Sequence, residues 1–227
     1  MSIDHIIFDC DGVLIDSEPL SMRVDIELLA EQGVAMSEDE AHRRFVGLTF
    51  EAMIEMVERE FAVKFPAGVP AEKDRRLLAL FESELRPVPG VERALAAMAQ
   101  PASIASNSPR LRIVEALRIT GLTDFFGLNI VTFEDVRRGK PEPDVFVEAA
   151  RRAGLMPGNC LVIEDSATGV TAARRAGCRV LGFTGTHGDP EAHGTRLSAL
   201  GAEAVVARMA DLPGLAASFV NHVRGKV

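Results

Sequence analysis

The sequence predicts an α/β fold, a parallel sheet with helices on both faces and a separate helical segment inserted after the first strand. Three observations predict it. From about residue 89 onward, short apolar runs alternate with amphipathic stretches. Those stretches open at Pro or Ser and stop at Gly, the asymmetry expected of helix ends. Between residues 17 and 86, by contrast, only helical patterns occur. Strands that alternate with helices must be joined by right-handed crossovers, which makes the sheet parallel.

The first strand is expected over Asp4–Asp9, where Ile6, Ile7 and Phe8 stand in a row. Three consecutive apolar residues suit a central strand buried on both faces. The insert follows. Met22, Ile26 and Leu29 mark one helix face up to a stop at Gln32-Gly33. A second pattern holds Met53, Met56, Val57 and Glu60, and a third holds Leu77, Leu78, Phe81 and Leu85. Pro87-Val88-Pro89-Gly90 closes the region as a stiff connector. The chain is therefore divided into a core of residues 1–14 and 87–227 and a helical domain of residues 15–86. In the core, Ala102–Ser106, Leu128–Thr132, Cys160–Glu164, Arg179–Thr184 and Glu203–Ala207 read as strands. Helices run from Pro109 to Gly121, from Pro143 to Gly154, and from Ser166, as a cap, to Gly177.

Composition removes several function classes. With 33 acidic against 25 basic residues and a net charge of −8, the chain lacks the basic footprint of a nucleic-acid binder. No apolar run approaches the roughly 20 residues of a membrane span. The start, Met1-Ser2-Ile3-Asp4-His5, has no basic region leading into an apolar stretch, so no signal peptide is expected. Cys10, Cys160 and Cys178 are odd in number, and none stands in a Cys-x-x-Cys spacing. Buried reduced thiols are expected rather than disulfides or zinc, and with them a cytoplasmic location.

In an open parallel sheet, ligands bind beyond the carboxyl ends of the strands. Asp9-Cys10-Asp11-Gly12 follows the first strand, Ser106-Asn107-Ser108 the second, and Glu164-Asp165-Ser166 the fourth, with Gly169 shortly after. Gly139-Lys140-Pro141-Glu142-Pro143-Asp144 precedes a helix. One Asp at a strand end is unremarkable. Asp9 and Asp11, however, project to one side if the chain stays extended, and close carboxylates need a cation or a shared proton. Glu164 and Asp165 add two more acids, so a cation is the better fit, and hard oxygen ligands open to water suit Mg²⁺. Lys140, bracketed by Gly139 and Pro141, is either a solvated loop charge or a fixed cation balancing acids and a phosphate. Ser106 and Asn107 are either caps of the Pro109 helix or part of an anion site at its N-terminus.

Taken together, these residues resemble the haloacid dehalogenase-like (HAD) superfamily, over essentially the whole chain. Asp9-x-Asp11-Gly12-Val13-Leu14-x-Asp16-Ser17-Glu18 is similar to its first motif. Ser106-Asn107-Ser108, Lys140-Pro141-x-Pro143-Asp144 and Glu164-Asp165-Ser166-x-x-Gly169 are similar to the other three, in the same order. The resemblance implies a Rossmann-like core with an inserted α-helical cap domain, and a group containing β-phosphoglucomutase and 6-phosphogluconate phosphatase. It further implies a phosphoric monoester hydrolase acting on a small phosphorylated metabolite, with no nucleic-acid or membrane partner. Asp9 would be the nucleophile that becomes an aspartyl phosphate, and Asp11 the acid and base. Ser106, Asn107 and Lys140 would hold the phosphoryl oxygens. Mg²⁺ would sit on Asp9, the main-chain carbonyl of Asp11 and Asp165, supported by Glu164.

The name-giving dehalogenases lack the second acid, so Asp11 argues for phosphoryl chemistry. A mutase is the rival reading, weakened by two departures. Ser21 stands where β-phosphoglucomutases carry a His, and Val46-Gly47-Leu48-Thr49-Phe50 stands where they carry an Arg-bearing loop. A non-catalytic binding module on the same fold is a third reading, opposed by the reactive residue types retained at each motif. Arg43-Arg44-Phe45-Val46-Gly47 and Phe81-Glu82-Ser83-Glu84-Leu85 are similar to parts of 6-phosphogluconate phosphatase. That implies a sugar or sugar-acid phosphate substrate, with Arg43 or Arg44 as candidates for a distal carboxylate.

Overall fold

A computed structural model describes residues 2–45 and 48–221 of the chain, which forms two compact units, residues 17–85 and residues 1–16 with 86–227. The larger unit is built on six strands: β1 (His5–Phe8), β2 (Ala102–Ser106), β3 (Ile130–Thr132), β4 (Cys160–Glu164), β5 (Arg179–Phe183) and β6 (Ala204–Val206). All pair in parallel, in the order β3-β2-β1-β4-β5-β6, which puts β1 at the centre. Every residue of β1 and β4 is buried, as expected of strands covered on both faces.

The helices of the smaller unit are α1 (Glu18–Glu31), α2 (Glu38–Phe45), α3 (Phe50–Phe61) and α4 (Val69–Glu84). Those of the larger unit are α5 (Val91–Ala97), α6 (Arg110–Thr120), α7 (Thr123–Phe126), α8 (Asp144–Arg152), α9 (Ala167–Ala176), α10 (Pro190–Ala199) and α11 (Leu212–Asn221). The punctuation read from the sequence is present in the backbone. Gly121, Gly154 and Gly177 end their helices at positive φ, and the Ser166 hydroxyl accepts from the Gly169 N–H at 3.0 Å to cap α9.

Three departures have physical causes. The third strand begins at Ile130, not Leu128, because the chain leaves α7 through a turn at Gly127 and leaves Leu128 94% exposed. Ser106 and Asn107 do not cap α6, whose N-cap is Pro109. Finally, α10 carries no clear apolar stripe. It forms because Asp189 accepts from the Ala192 N–H at 3.0 Å, Pro190 presets its first turn, and Leu197 is fully buried.

The smaller unit has its own core, in which Leu29, Val34, Ala41, Phe45, Met53 and Val57 are buried and Met22 and Ile26 pack against them. Lys73 of α4 pairs with Asp25 of α1 at 2.7 Å, both buried, and its ammonium lies 4.2 Å from the Phe50 ring centroid. They line a cavity of about 170 Å³ together with Ser21 and Thr49. Arg44 is engaged by Glu40 and Glu60, whereas Arg43 is exposed. Of the two candidates for a distal carboxylate, Arg44 therefore already has acidic partners within the unit. Val46 and Gly47, part of the loop compared with mutases, lie outside the described residues.

Candidate active site

Strand register assembles the site. In the β1–β4 pairing Phe8 faces Ile163, and in the β1–β2 pairing it faces Ile104. The residues that follow, Asp9 and Glu164, consequently emerge side by side, with Ser106 close to the same level on β2. The Asp9 N–H continues the ladder by donating to the Ile163 carbonyl at 2.9 Å. Beyond it the chain does not stay extended, as the two-residue spacing of Asp9 and Asp11 would require for both to project to one side. It folds through a turn with Gly12 at φ +76° and Leu14 N–H donating back to Cys10. A Cβ at Gly12 would lie 2.0 Å from Asp165 Oδ2, so this glycine is needed both for its backbone angle and for close approach.

Asp9, Glu164 and Asp165 are all buried, and each offers a carboxylate oxygen within 4.8 Å of the others. The Lys140 ammonium lies 2.7 Å from Asp9 and 3.2 Å from Glu164. One lysine against three buried acids leaves excess negative charge, which burial makes costly. Burial first, and the Glu164 charge next, push the Asp9 carboxyl up to about 7, against the pull of Lys140. Burial likewise raises Glu164, while the two acids raise Lys140. A hard divalent cation would relieve this imbalance, and three clustered carboxylates are a fitting donor set for Mg²⁺.

Asp11 is not part of the carboxylate cluster. It accepts from the Ser108 hydroxyl at 2.5 Å, and Arg112 in turn donates to that hydroxyl. Its side chain is thus held by the second strand's loop. Ser106, buried, accepts from the Ser108 N–H at 3.0 Å. Asn107 is tied to the loop that carries Lys140. Its amide accepts from Lys140 N–H at 2.8 Å and donates to Lys140 carbonyl at 3.0 Å, fixing the loop that carries the lysine. Gly139 makes this possible, since a Cβ there would meet Asn107 Oδ1 at 2.6 Å. In the same way Gly169 leaves room for Glu164, which also accepts from the Ser166 hydroxyl at 2.6 Å.

Several of these groups do not stand out in the sequence. Ser108 on Asp11, Arg112 on Ser108, and Ser166 on Glu164, are polar contacts inside or just after recognised motifs. His187 and His193, to which the sequence pattern gives no role, lie against Asp165, with His187 Nε2 3.2 Å from its Oδ2. The available signal is topological: their loop follows β5, on the same rim as the other motifs.

The charge imbalance has a measurable consequence in chelator. Because the Asp9 pKa rises on folding from 3.8 to about 7, its contribution is fully present below about pH 4 and is lost as pH rises through 7. The melting temperature of Asp9→Asn should therefore overtake that of the wild type progressively between about pH 4 and pH 7. Mg²⁺ should close that gap by stabilising the wild type. A gap independent of pH would refute this electrostatic account.

Comparison with known proteins identifies the family. A model of the haloacid dehalogenase-like hydrolases matches residues 3–177. The chain belongs to that family of hydrolases. A 6-phosphogluconate phosphatase of Escherichia coli K12 is 29% identical over 194 residues, covering 84% of this chain and 87% of the relative. Among solved structures, a haloacid dehalogenase-like protein from Agrobacterium tumefaciens is 38% identical with a TM-score of 0.85, covering 95% of this chain and 98% of its own. A HAD family hydrolase from Deinococcus radiodurans, solved with bound phosphate and sodium, is 32% identical with a TM-score of 0.76, covering 96% of each chain. No helix among the described residues is long and apolar enough to cross a membrane.

Proposed function

We propose that this hydrolase is a Mg²⁺-dependent phosphatase of a small phosphorylated sugar or sugar acid, working in the cytoplasm through a phosphorylated Asp9. The observation that carries the reading is the buried Asp9 carboxylate, held 2.7 Å from Lys140 and clustered with Glu164 and Asp165. An acid so placed is a nucleophile fixed in orientation, and phosphoryl transfer depends chiefly on such positioning and on charge neutralisation.

In this reading an Asp9 carboxylate oxygen attacks phosphorus and the ester P–O bond breaks. The electron pair leaves with the alcohol oxygen, which takes a proton from Asp11. Asp11, now ionised and held by Ser108, removes a proton from water. The water oxygen then attacks the aspartyl phosphate, releasing inorganic phosphate and restoring Asp9. Lys140, Ser106 and Asn107 hold the phosphoryl oxygens, and Asn107 also fixes the loop that carries Lys140. Asp9, the Asp11 carbonyl and Asp165 would hold Mg²⁺, with Glu164 in support. When bound, the metal neutralises charge on the carboxylates and the phosphoryl group. The unit of residues 17–85 acts as the cap that excludes water and selects the substrate.

The substrate class follows from the 6-phosphogluconate phosphatase relative and from the segments Arg43–Phe45 and Phe81–Leu85 that resemble it. Turnover should be screened over sugar, sugar-acid and nucleotide phosphates with and without Mg²⁺. Release of phosphate from 6-phosphogluconate or a related sugar phosphate, abolished by EDTA and restored by Mg²⁺, is expected. Conversion of β-glucose 1-phosphate to glucose 6-phosphate at a rate rivalling phosphate release would instead establish a mutase. Full activity in chelator would end the metal reading.

A further inference from the structure

We propose that His187 and His193 form a clamp that positions Asp165, so that the loop after β5 sets the Mg²⁺ affinity of the acidic cluster. This rests on the proposed function, in which Asp165 holds the metal. The two histidines grip one residue at two points. His187 Nε2 lies 3.2 Å from the Asp165 carboxylate, and His193 Nε2 lies 2.5 Å from its main-chain carbonyl. Both partners only accept, so both imidazoles donate from Nε2. The rings stack with centroids 3.6 Å apart and planes inclined by 18°, which joins the two contacts into one rigid unit.

That unit is itself anchored. His193 sits in the first turn of α10, its N–H donating to the Asp189 carbonyl at 3.1 Å, and the His187 N–H donates to Thr184 at 3.2 Å. Between them and the first strand's loop, Thr186 Oγ1 donates to the Gly12 carbonyl at 2.9 Å. Gly12 is the residue whose backbone lies against the Asp165 carboxylate. One segment therefore ties the loop after β1 to the loop after β4, from which the acids of the cluster project. Among the described residues the clustered donors are Asp9, Glu164 and Asp165, without either imidazole. The histidines act as positioning residues, not as ligands. Hydrogen bonds to a ligating carboxylate orient it, and their removal typically costs 10–100-fold in metal affinity.

The test is calorimetric titration of Mg²⁺ alone into the metal-free full-length protein and two variants. His187→Phe keeps a ring for the stack but has no donor, and His187→Gln keeps a donor without the ring. The expected result is a Kd raised roughly 10-fold or more in His187→Phe and substantially recovered in His187→Gln. In His187→Phe, kcat at saturating Mg²⁺ should stay within a few-fold of wild type while the Mg²⁺ needed for half-activity rises. If His187→Phe binds Mg²⁺ as tightly as wild type, the clamp is overturned and the metal reading stands. Failure of the wild type to bind Mg²⁺ overturns both.

Discussion

Asp9→Asn keeps its fold and loses turnover by several orders of magnitude, the largest effect expected of any single substitution in this chain. The amide has the shape of the carboxylate but cannot attack phosphorus. Its structural cost is small, because Lys140 retains Glu164 at 3.2 Å and one of three buried negative charges is gone. Loss of activity should therefore be accompanied by equal or greater thermal stability in metal-free buffer near neutral pH. Steady-state assays with p-nitrophenyl phosphate, run beside circular dichroism melts, give both numbers. Retention of more than about a tenth of kcat would remove Asp9 from the nucleophilic role.

Asp11→Asn is expected to separate the two halves of the reaction. A p-nitrophenolate leaving group needs little acid assistance, so phosphorylation of Asp9 continues, whereas hydrolysis loses its base. Steady-state kcat should fall by about 10²–10⁴-fold, the usual contribution of general acid–base catalysis. A burst of p-nitrophenol close to one per active site should remain in stopped-flow traces. On an alkyl phosphate, whose alcohol is a poor leaving group, the burst should vanish as well. Equal loss of burst and steady state with both substrates would contradict the acid–base assignment, and so would a wild-type rate.

The residues of this site are legible in the sequence because strand ends are fixed by short-range pattern. Ile6, Ile7 and Phe8 define β1, Leu161, Val162 and Ile163 define β4, and the acids immediately after them share one rim once the strands pair in parallel. Glycine punctuation marks the ends of α6 and α9 for the same local reason. What the residues do not disclose depends on non-local geometry. Asn107 reads as a phosphate ligand, and its further contact with the Lys140 backbone, 33 positions away, exists only because Gly139 lets it approach. Ser108 holds Asp11 from 97 positions away, and His193 reaches Asp165 across 28. Helix α10, which carries His193, is set by its Asp189 cap and burial of Leu197 rather than by a repeating apolar face. Leu128 reads as part of β3 because it is apolar and adjoins a strand, yet the turn at Gly127 sends it out to solvent. The engagement of Arg44 by Glu60 is invisible in sequence, because it exists only once α2 and α3 bring the two side by side.

The central claim is that the phosphoryl group passes through Asp9. It is tested most directly by quenching Asp11→Asn in acid during turnover of p-nitrophenyl phosphate, reducing with borohydride, and mapping the product by peptide mass spectrometry. The account predicts reduction of a single acyl phosphate, at Asp9, converting that residue to homoserine, with none in protein quenched before substrate is added. Modification at Asp11, Glu164 or Asp165 instead would contradict it, as would a burst of alcohol release with Asp9 unmodified.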